Sequence, residues 1–344
     1  MLDIFNGIEK WLAAGKKFAL ATVVDTWRSA PRVVGSAMAI TEDMEIIGSV
    51  SGGCVEGAVI KEAMKVLESG EPKILKFGVK NEDAWTVGLS CGGKITVFVE
   101  RFIGLEDSQK PAWDTLRAQI TQNKPSVLIS KMSGTQSDHA LITPDGNTSG
   151  TLAVDDALAD IAKQASLNHQ NAIVEHEGAQ LFVQEFPQKN KMIIVGSAHI
   201  SLDLIDLANT FNFETIVIDP RKIFTEETRY ITKPNELHQT WPEEVLPEMT
   251  LDQDTYAVLL THDPKIDDQA LHILLKSEVA YIGCLGSKKT HAKRVQRLQE
   301  AGMTEEEIAR IHAPVGVAIN AKTPQEIALS VMGEVIAVKN GEKK

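Results

Sequence analysis

The sequence is that of an acidic chain of 344 residues with a formal net charge of −12. Its length is more than twice that of an ordinary domain of ~100–150 residues, so we expect two domains. The charge argues against nucleic acid as the main partner, because binding to phosphates needs a large basic surface. No apolar run approaches the ~20 residues that span a bilayer, so no membrane segment is expected.

The N-terminal segment and the cysteines predict a cytoplasmic protein. Residues 1–17 fit an amphipathic docking helix with acidic residues and no cleavage site, unlike a signal peptide. Cys54, Cys91 and Cys284 are an odd set, far apart, which suits a reducing compartment better than a disulfide framework. They lack the closely spaced Cys and His partners of a zinc site, so no metal site is predicted.

Residues 1–189 predict a mixed α/β domain with a connecting segment. From Phe18 to Phe102, apolar strand-like runs alternate with turns around one clear helix, VEGAVIKEAMKVLESG. The strand-like runs are FALATVVDTW, SAMAIT, EIIGSV, KILKF and KITVFVERF. After Gly104 the periodicity weakens, and PSVLISKM, HALIT and AQLFVQEF predict strands around a helix at VDDALADIAKQA. The sequence shows no internal repeat.

Two cysteines of this domain lie beside paired glycines. Cys54 follows the strand EIIGSV and opens a helix, where the helix dipole favours a thiolate. Cys91 precedes the strand KITVFVERF in a second glycine-rich turn. Either thiol could instead be a small buried hydrophobic group. Cys54 and Cys91 are candidate reactive or ligating thiols, with Glu56 and the glycines Gly52, Gly53, Gly92 and Gly93 beside them.

A loop with two arginines follows the first strand. Arg28 and Arg32 flank Pro31 in this loop, and guanidinium groups suit bidentate phosphate recognition. A solvated loop is equally compatible with these residues. Arg32 is included among the candidate cofactor contacts.

Residues 190–344 predict a Rossmann-like, parallel, doubly wound sheet. Short apolar strands alternate with amphipathic helices from MIIVG to TPQEIALSVMGEVIAVKNG. Ligands of such sheets bind beyond the carboxyl ends of the strands, so the turns there supply the candidate residues. These are Gly196, Ser197, Ala198 and His199; Asp219 and Arg221; His262 and Asp263; and Gly283, Gly286, Ser287 and Lys288.

The first two turns only partly match a dinucleotide fingerprint. Gly196 has the place of the first glycine, but Ala198 and Ser201 stand where the second and third would be. Asp219 lies 23 residues beyond Gly196, where a carboxylate can accept a ribose 2′-hydroxyl. An oxidoreductase that binds NAD(P) is therefore an alternative function, and the Cβ of Ala198 weakens it by obstructing a pyrophosphate.

The other two turns have both a functional and an ordinary interpretation. His262 and Asp263 could act as an acid/base pair or bind a cofactor tail; alternatively, they start a turn with Asp267 as the N-cap of the next helix. The segment GCLGSKK places Ser287 and Lys288 at a helix N-terminus, which attracts anions. Solvated lysines on a glycine-rich turn fit equally well.

Taken together and in order, these segments resemble the XdhC/CoxI family over nearly the whole chain. The likeness is carried by TVVDTWRSAPRVVGSAMAI, GSVSGGCVEGAV and GLSCGGKITVFVE in the first half, and by IIVGSAHIS, VIDPR, THDPKIDDQAL, YIGCLGSKKTHAKRVQRL and APVGVAINAKTPQEIALSVMGEVIA in the second. The chain departs from the family pattern at Arg28, where glycine is more frequent, and at Ala198, where the second Rossmann glycine is common.

The resemblance implies a maturation factor rather than an enzyme with its own turnover. Such a protein would bind molybdenum cofactor, as molybdopterin or its nucleotide form, support its sulfuration and pass it to a xanthine dehydrogenase-type molybdenum hydroxylase. By position, Gly52–Glu56 and Cys91–Gly93 would face the cofactor, with Cys54, Cys91 and Glu56 as the candidate sulfur-handling residues. The turns at Gly196, Asp219 and Gly286 would hold a nucleotide or pterin phosphate. The sequence shows no desulfurase apparatus, so a cysteine desulfurase partner would supply the sulfur. A homodimer is also expected, and an adaptor with a vestigial nucleotide pocket is a third possibility.

Overall fold

The computed structural model describes residues 1–28, 30–53, 55–78, 93–226 and 230–341. Cys54, Cys91 and Gly92 therefore lie outside the described residues, and their predicted roles are not tested by the structure. The chain divides into two compact units, Met1–Gln188 and Lys189–Lys344. Each unit is described by itself.

The first unit begins with an antiparallel sheet crossed by one helix. Its strands are β1 (Phe18–Trp27), β2 (Ala37–Thr41), β3 (Ile46–Gly48), β4 (Lys73–Phe77) and β5 (Lys94–Arg101), with α1 (Phe5–Ala13) before them and α2 (Glu56–Ser69) between β3 and β4. The strand order is β3-β2-β1-β5-β4. Residues of β1 alternate between two buried faces: Ala19 and Ala21 pack against α2, whereas Leu20 packs on the opposite side.

A second antiparallel sheet completes this unit. Its strands are β6 (Ser126–Lys131), β7 (His139–Ile142), β8 (Thr148–Gly150), β9 (Ala172–His176) and β10 (Ala179–Phe186), with α3 (Lys110–Thr121) before them and α4 (Asp156–Leu167) between β8 and β9. The strand order is β8-β7-β6-β10-β9. Leu20 and Leu128 share one buried cluster, and Phe98 and Phe182 share another, so the inner faces of the two sheets pack together.

The two sheets are copies of one topology, although the sequence shows no repeat. In residues 18–101 and 126–186 the five strands follow the same order, with antiparallel pairing and a helix after the third strand. Gly48 and Gly150 end the third strand of each copy with φ of 79° and 123°. A Cβ on Gly48 would lie 2.2 Å from the Ala37 carbonyl oxygen, and one on Gly150 would lie 2.1 Å from that of His139.

The second unit is a parallel six-stranded sheet with helices on both faces. Its strands are β11 (Lys191–Val195), β12 (Glu214–Ile218), β13 (Glu236–His238), β14 (Thr255–Leu259), β15 (Tyr281–Cys284) and β16 (Ile311–His312). Its helices are α5 (His199–Thr210), α6 (Pro242–Val245), α7 (Pro264–Leu274), α8 (Lys288–Glu300), α9 (Glu305–Ala309) and α10 (Pro324–Lys339).

The strand order of this sheet is β13-β12-β11-β14-β15-β16, with parallel pairing throughout. This is the doubly wound order: β12 and β13 are added on one side of β11, and β14, β15 and β16 are added on its other side. Separate apolar clusters cover the two faces, one around Ile193 and Leu271 and the other around Ile194 and Leu204. The predicted fold class, a mixed α/β domain followed by a Rossmann-like domain, is confirmed.

The length and polarity of the helices bear on membrane insertion. Within the described ranges, no helix is both long enough and apolar enough to cross a bilayer.

Candidate functional site

Three loops leave the first sheet from the same end. β1, β3 and β4 run in one direction, because each pairs antiparallel with β2 or β5. The chain therefore leaves these three strands at the same end of the sheet, at Arg28, Ser49 and Gly78, and we call this end the loop end of the first sheet. A Cβ on Gly52 would lie 3.9 Å from the Cβ of Pro31, so the first two loops touch. The structure thus brings together segments that the sequence analysis treated separately.

Glu56 holds the glycine-rich loop in place from the first turn of α2. Its carboxylate accepts hydrogen bonds from the Ser49 hydroxyl (2.8 Å), the Ser51 hydroxyl (2.6 Å) and the Ser51 amide (2.9 Å). It also accepts one from the Gly53 amide at 2.8 Å. The structure therefore gives Glu56 a positioning role, and direct sulfur handling by this residue stays a prediction.

The ionisation of Glu56 follows from these contacts. Burial alone would raise the pKa of Glu56, but the hydrogen bonds from Ser51 and Ser49 outweigh burial and lower the pKa to about 2. The carboxylate is therefore ionised throughout the neutral range. A permanently charged acceptor can order the loop without exchanging a proton.

Other predicted residues of the loop end are also engaged with the protein. Gly52 and Gly53 have φ of 74° and 119°, and their amides donate to Ser49 and Glu56. Arg32 forms an ion pair with Asp3. Gly93 is buried, directly before β5. The predicted phosphate contact by Arg32 would have to compete with Asp3.

The sequence analysis missed an exposed aromatic residue at this end. Trp27 ends β1 and pairs with Lys94 across the β1–β5 ladder. The Arg28 guanidinium lies 4.1 Å from the centroid of the Trp27 ring, and the Lys94 ammonium lies 5.0 Å from it. An aromatic residue next to an arginine was the available signal, but the pairing with Lys94 depends on strand register.

In the second unit, Asp219 is fully buried and holds the first turn. Its carboxylate accepts hydrogen bonds from the amides of Ser197 (2.8 Å) and Arg221 (2.9 Å), and two more from the Arg221 guanidinium. Burial would raise the pKa of Asp219, but these hydrogen bonds outweigh it and lower the pKa. A carboxylate has about four acceptor sites. All are used here, which argues against the predicted contact with a ribose hydroxyl.

The rest of the first turn is shaped by close packing. Gly196 has φ of 103°, and a Cβ there would lie 2.6 Å from the Thr261 Cγ2 atom. Ser197 is buried and its hydroxyl contacts the Tyr230 hydroxyl. Ala198 is the N-cap of α5 without a side-chain cap, and His199 is exposed as the first residue of that helix.

In the third turn, one predicted residue is exposed to solvent and the other caps a helix. His262 is exposed with φ of 60°, a left-handed conformation that is uncommon outside glycine. Asp263 is the N-cap of α7 and accepts a hydrogen bond from the Lys265 amide at 3.0 Å. The alternative with Asp267 as N-cap is wrong, because α7 begins at Pro264. Asp267 is instead buried and accepts a hydrogen bond from the Thr261 hydroxyl.

The fourth turn begins after Cys284. Gly283 is buried inside β15, where a Cβ would lie 2.6 Å from the Tyr281 hydroxyl, so it serves packing and does not line the turn. Gly286 has φ of 134°, and Ser287 is the N-cap of α8 ahead of the exposed Lys288. Burial raises the pKa of the Cys284 thiol to about 12, so this cysteine is not a reactive thiolate.

Comparison with known proteins decides the family. The model of the XdhC and CoxI family matches residues 11–78, and the model of the XdhC Rossmann domain matches residues 192–335. The chain belongs to the XdhC and CoxI family. The predicted family is therefore confirmed, and the first match includes Arg32 and Gly52–Glu56 while the second includes all four turns of the Rossmann sheet.

Named members of the XdhC and CoxI family and one crystal structure resemble the chain along its length. A probable xanthine dehydrogenase subunit from Bacillus subtilis (strain 168) is 28% identical over 324 residues, 93% of this chain and 92% of that protein. Molybdenum cofactor insertion chaperone PaoD of Escherichia coli (strain K12) is 26% identical over 328 residues, 95% and 85% of the two chains. A crystal structure described as a xanthine dehydrogenase from Bacillus halodurans superposes with a TM-score of 0.80 at 25% identity, covering 100% of this chain and 97% of the other.

Two surface hollows of this XdhC-type protein lie apart from the loop end. One, of about 380 Å³, is lined by residues that include Arg101, Gln109 and Asp138; the other, of about 480 Å³, lies between β7 and α4. Neither is lined by Arg32, by Glu56 or by the paired glycines before α2.

Proposed function

We propose that this protein binds molybdenum cofactor as cargo, protects it while a terminal oxo ligand is replaced by sulfido, and delivers it to a xanthine dehydrogenase-type molybdenum hydroxylase. The names of two relatives support this proposal: one is a molybdenum cofactor insertion chaperone, and the other is a probable subunit of xanthine dehydrogenase. Both resemble this chain over more than nine-tenths of its length.

The observation that carries the proposal is the difference between the two copies in the first unit. After the third strand, the first copy has residues 49–55 and the second has residues 151–155. Between the fourth and fifth strands, the first copy has residues 78–93, whereas the second has the two-residue turn 177–178. Elaborated loops on one copy of a duplicated scaffold are typical of a functional surface. Both cysteines of the first unit are in these two loops.

The chemistry of the loops suits a molybdenum centre. A soft sulfur donor prefers soft metal centres, and a thiol can pass sulfur onward by exchange. We propose that both thiols act in this way: Cys54 lies on the loop whose shape is fixed by the Glu56 carboxylate, and Cys91 lies on the loop before β5. The sulfur would come from the persulfide of a cysteine desulfurase, from which a thiol reductant releases hydrogen sulfide while it is itself oxidised to a disulfide. Hydrogen sulfide would then replace the oxo ligand, whose oxygen leaves as water. The homodimer and the cytoplasmic location remain predictions.

The test is the cofactor content of the purified full-length chain. Produced in a host supplied with molybdate, the wild-type protein should carry molybdopterin and molybdenum and should activate an apo-hydroxylase. Cys54→Ser and Cys91→Ser should each lower retention, whereas Cys284→Ala should not, because Cys284 is buried in the other unit. A wild-type protein without pterin would refute the proposal; equal loading of all three variants would remove the thiols from it.

The alternative, an oxidoreductase that binds NAD(P), has less support. The carboxylate of Asp219 is saturated by Ser197 and Arg221, and Ala198 stands at the position of the second fingerprint glycine. Titration with NADH and NADPH checks this alternative directly. A change in nicotinamide fluorescence that saturates at one ligand per chain would revive it.

A further inference from the structure

Trp27, Arg28 and Lys94 form an exposed cationic and aromatic patch, which we call the Trp27 platform. The Trp27 side chain is 47% exposed, although burying an indole of this size stabilises a fold. The Arg28 guanidinium and the Lys94 ammonium lie 4.1 and 5.0 Å from its ring centroid. Both distances are within the range of cation–π attraction.

The backbone of Arg28 is held in an unfavourable conformation. Its φ is 61°, in the left-handed region that glycine adopts readily and that costs other residues about 1 kcal/mol or more. The side chain is exposed and belongs to none of the apolar clusters described above. Stability alone would favour glycine at this position. In the described part of the chain the Arg28 guanidinium contacts the Trp27 ring, and its exposure leaves it accessible to a ligand.

The two cations of the platform lack acidic partners in the described part of the chain. Neither Arg28 nor Lys94 takes part in an ion pair with a described carboxylate, although carboxylates outnumber cations in the whole sequence by 47 to 35. Two positive charges without a described acidic partner, beside an indole that is 47% exposed, suit a ligand that is both planar and anionic.

The platform lies beside the loops that carry the proposed site. Trp27 ends β1 where residues 28–36 begin, and Lys94 begins β5 directly after Gly93. Their pairing across the ladder places the start of residues 28–36 beside the end of the segment before β5. A ligand held on Trp27 would therefore lie next to Gly93, one of the predicted cofactor-facing glycines.

We infer that the Trp27 platform binds the pterin phosphate part of the cofactor, with the pterin ring against the indole and the phosphate between Arg28 and Lys94. This inference rests on the proposed function and names the contacts of the same cargo. Aromatic stacking supplies ring recognition, and the guanidinium supplies bidentate phosphate recognition.

The test compares two substitutions that remove the same guanidinium but differ in backbone strain. Arg28→Ala keeps the left-handed strain, whereas Arg28→Gly relieves it and should unfold at an equal or higher urea concentration. The full-length proteins are titrated by calorimetry with neopterin monophosphate, with neopterin and with inorganic phosphate. The two Arg28 variants should each bind neopterin monophosphate about tenfold more weakly than wild type, equivalent to about 1.4 kcal/mol. Trp27→Ala and Lys94→Met should weaken binding by a similar factor.

Matched controls separate recognition from a general effect of charge. Lys73→Met removes an exposed lysine at the other end of the same sheet and should bind like wild type. Trp27→Phe keeps an aromatic ring and should retain most of the affinity. Inorganic phosphate and neopterin should each bind more weakly than the phosphorylated pterin; equal competition by phosphate alone would show an anion site only and would overturn ring recognition.

Molybdopterin retained by the same proteins distinguishes the two levels of the proposal. Wild type that carries molybdopterin, with Arg28→Ala and Trp27→Ala depleted of it, supports the platform. Wild type and both variants equally loaded would overturn the platform and leave the proposed function standing. Wild type without molybdopterin would refute the proposed function, and the platform with it.

Discussion

At the scale of single residues, the carboxylates singled out by sequence serve the protein's own loops. Glu56 accepts hydrogen bonds from Ser49, Ser51 and Gly53, and Asp219 is saturated by Ser197 and Arg221. In both cases the partners lie on a turn that has to keep an unusual shape. These side chains fix the shape of the turns at which a ligand is predicted to bind.

Replacing Glu56 with glutamine should destabilise the fold in a manner that depends on pH. Hydrogen bonds to a charged group are worth about 1.5–3 kcal/mol in a buried setting, so we expect a loss of about 1–2 kcal/mol at this half-buried site at pH 7. The pKa is about 2 in the folded protein against 4.5 for an ordinary glutamate. Because the pKa of Glu56 is lower in the folded protein, its carboxylate contributes fully to the free energy of unfolding above pH ~4.5. This contribution disappears as the pH falls towards 2.

Urea unfolding of wild type and Glu56→Gln between pH 7 and pH 3 measures this difference. The difference in the free energy of unfolding between the two proteins should be constant down to pH ~4.5 and should then decrease. Glu62→Gln, on the same helix, is the control, because the Glu62 carboxylate forms an ion pair with the exposed Lys65, and a surface pair contributes little. If the difference in the free energy of unfolding is the same at pH 3 as at pH 7, the charge of the Glu56 carboxylate does not order the loop.

At the scale of elements, the sequence predicted strands wherever apolar runs were long. β1, β4 and β10 have the predicted bounds. In β1 and β10 a long buried run leaves a clear apolar signal, whereas β4 is mostly unburied and is marked by the apolar residues of KILKF. The edge strands β8 and β13 were missed, since three mostly exposed residues carry no such pattern. α3 was missed in a region where periodicity is weak.

The internal duplication was also invisible in the sequence, for a physical reason. The two copies share strand order and backbone conformation at Gly48 and Gly150, but different side chains fill their cores. Local spacing predicts a ribose contact for Asp219, whereas the hydrogen bonds that Arg221 donates to this carboxylate are visible only in the folded turn. Contacts that depend on register, such as Trp27 with Lys94, require the fold itself.

The duplication predicts equal penalties at two distant glycines. Gly48→Ala and Gly150→Ala each force a Cβ into a backbone carbonyl while φ stays positive, so each should lower the free energy of unfolding by about 2 kcal/mol or more. Gly178→Ala is the control, because φ is 75° and a Cβ at this position would meet no atom within 4 Å. Backbone strain alone should then lower the free energy of unfolding by about 1 kcal/mol. Chemical unfolding of the three variants measures these free energies. A large loss for Gly48→Ala together with little loss for Gly150→Ala would contradict the structural equivalence of the two glycines.

At the scale of the whole molecule, each unit contains a complete set of apolar clusters. The clusters around Ile193 and around Ile194 draw every member from residues 189–344. Those around Leu20, Ala21, Val127 and Phe98 draw every member from residues 1–188. A core that closes within one segment is the physical requirement for independent folding.

Residues 189–344, produced alone, should therefore fold cooperatively. The parallel sheet of this segment is covered on both faces by its own helices, so its apolar clusters stay buried without residues 1–188. Far-ultraviolet circular dichroism and tryptophan fluorescence of Trp241 should report one coincident transition in urea, as expected of a two-state domain. The full chain should show a transition at the same midpoint. Separate midpoints for the two probes, or a fragment that binds hydrophobic dyes as a molten globule does, would mean that this sheet depends on the first unit for its packing.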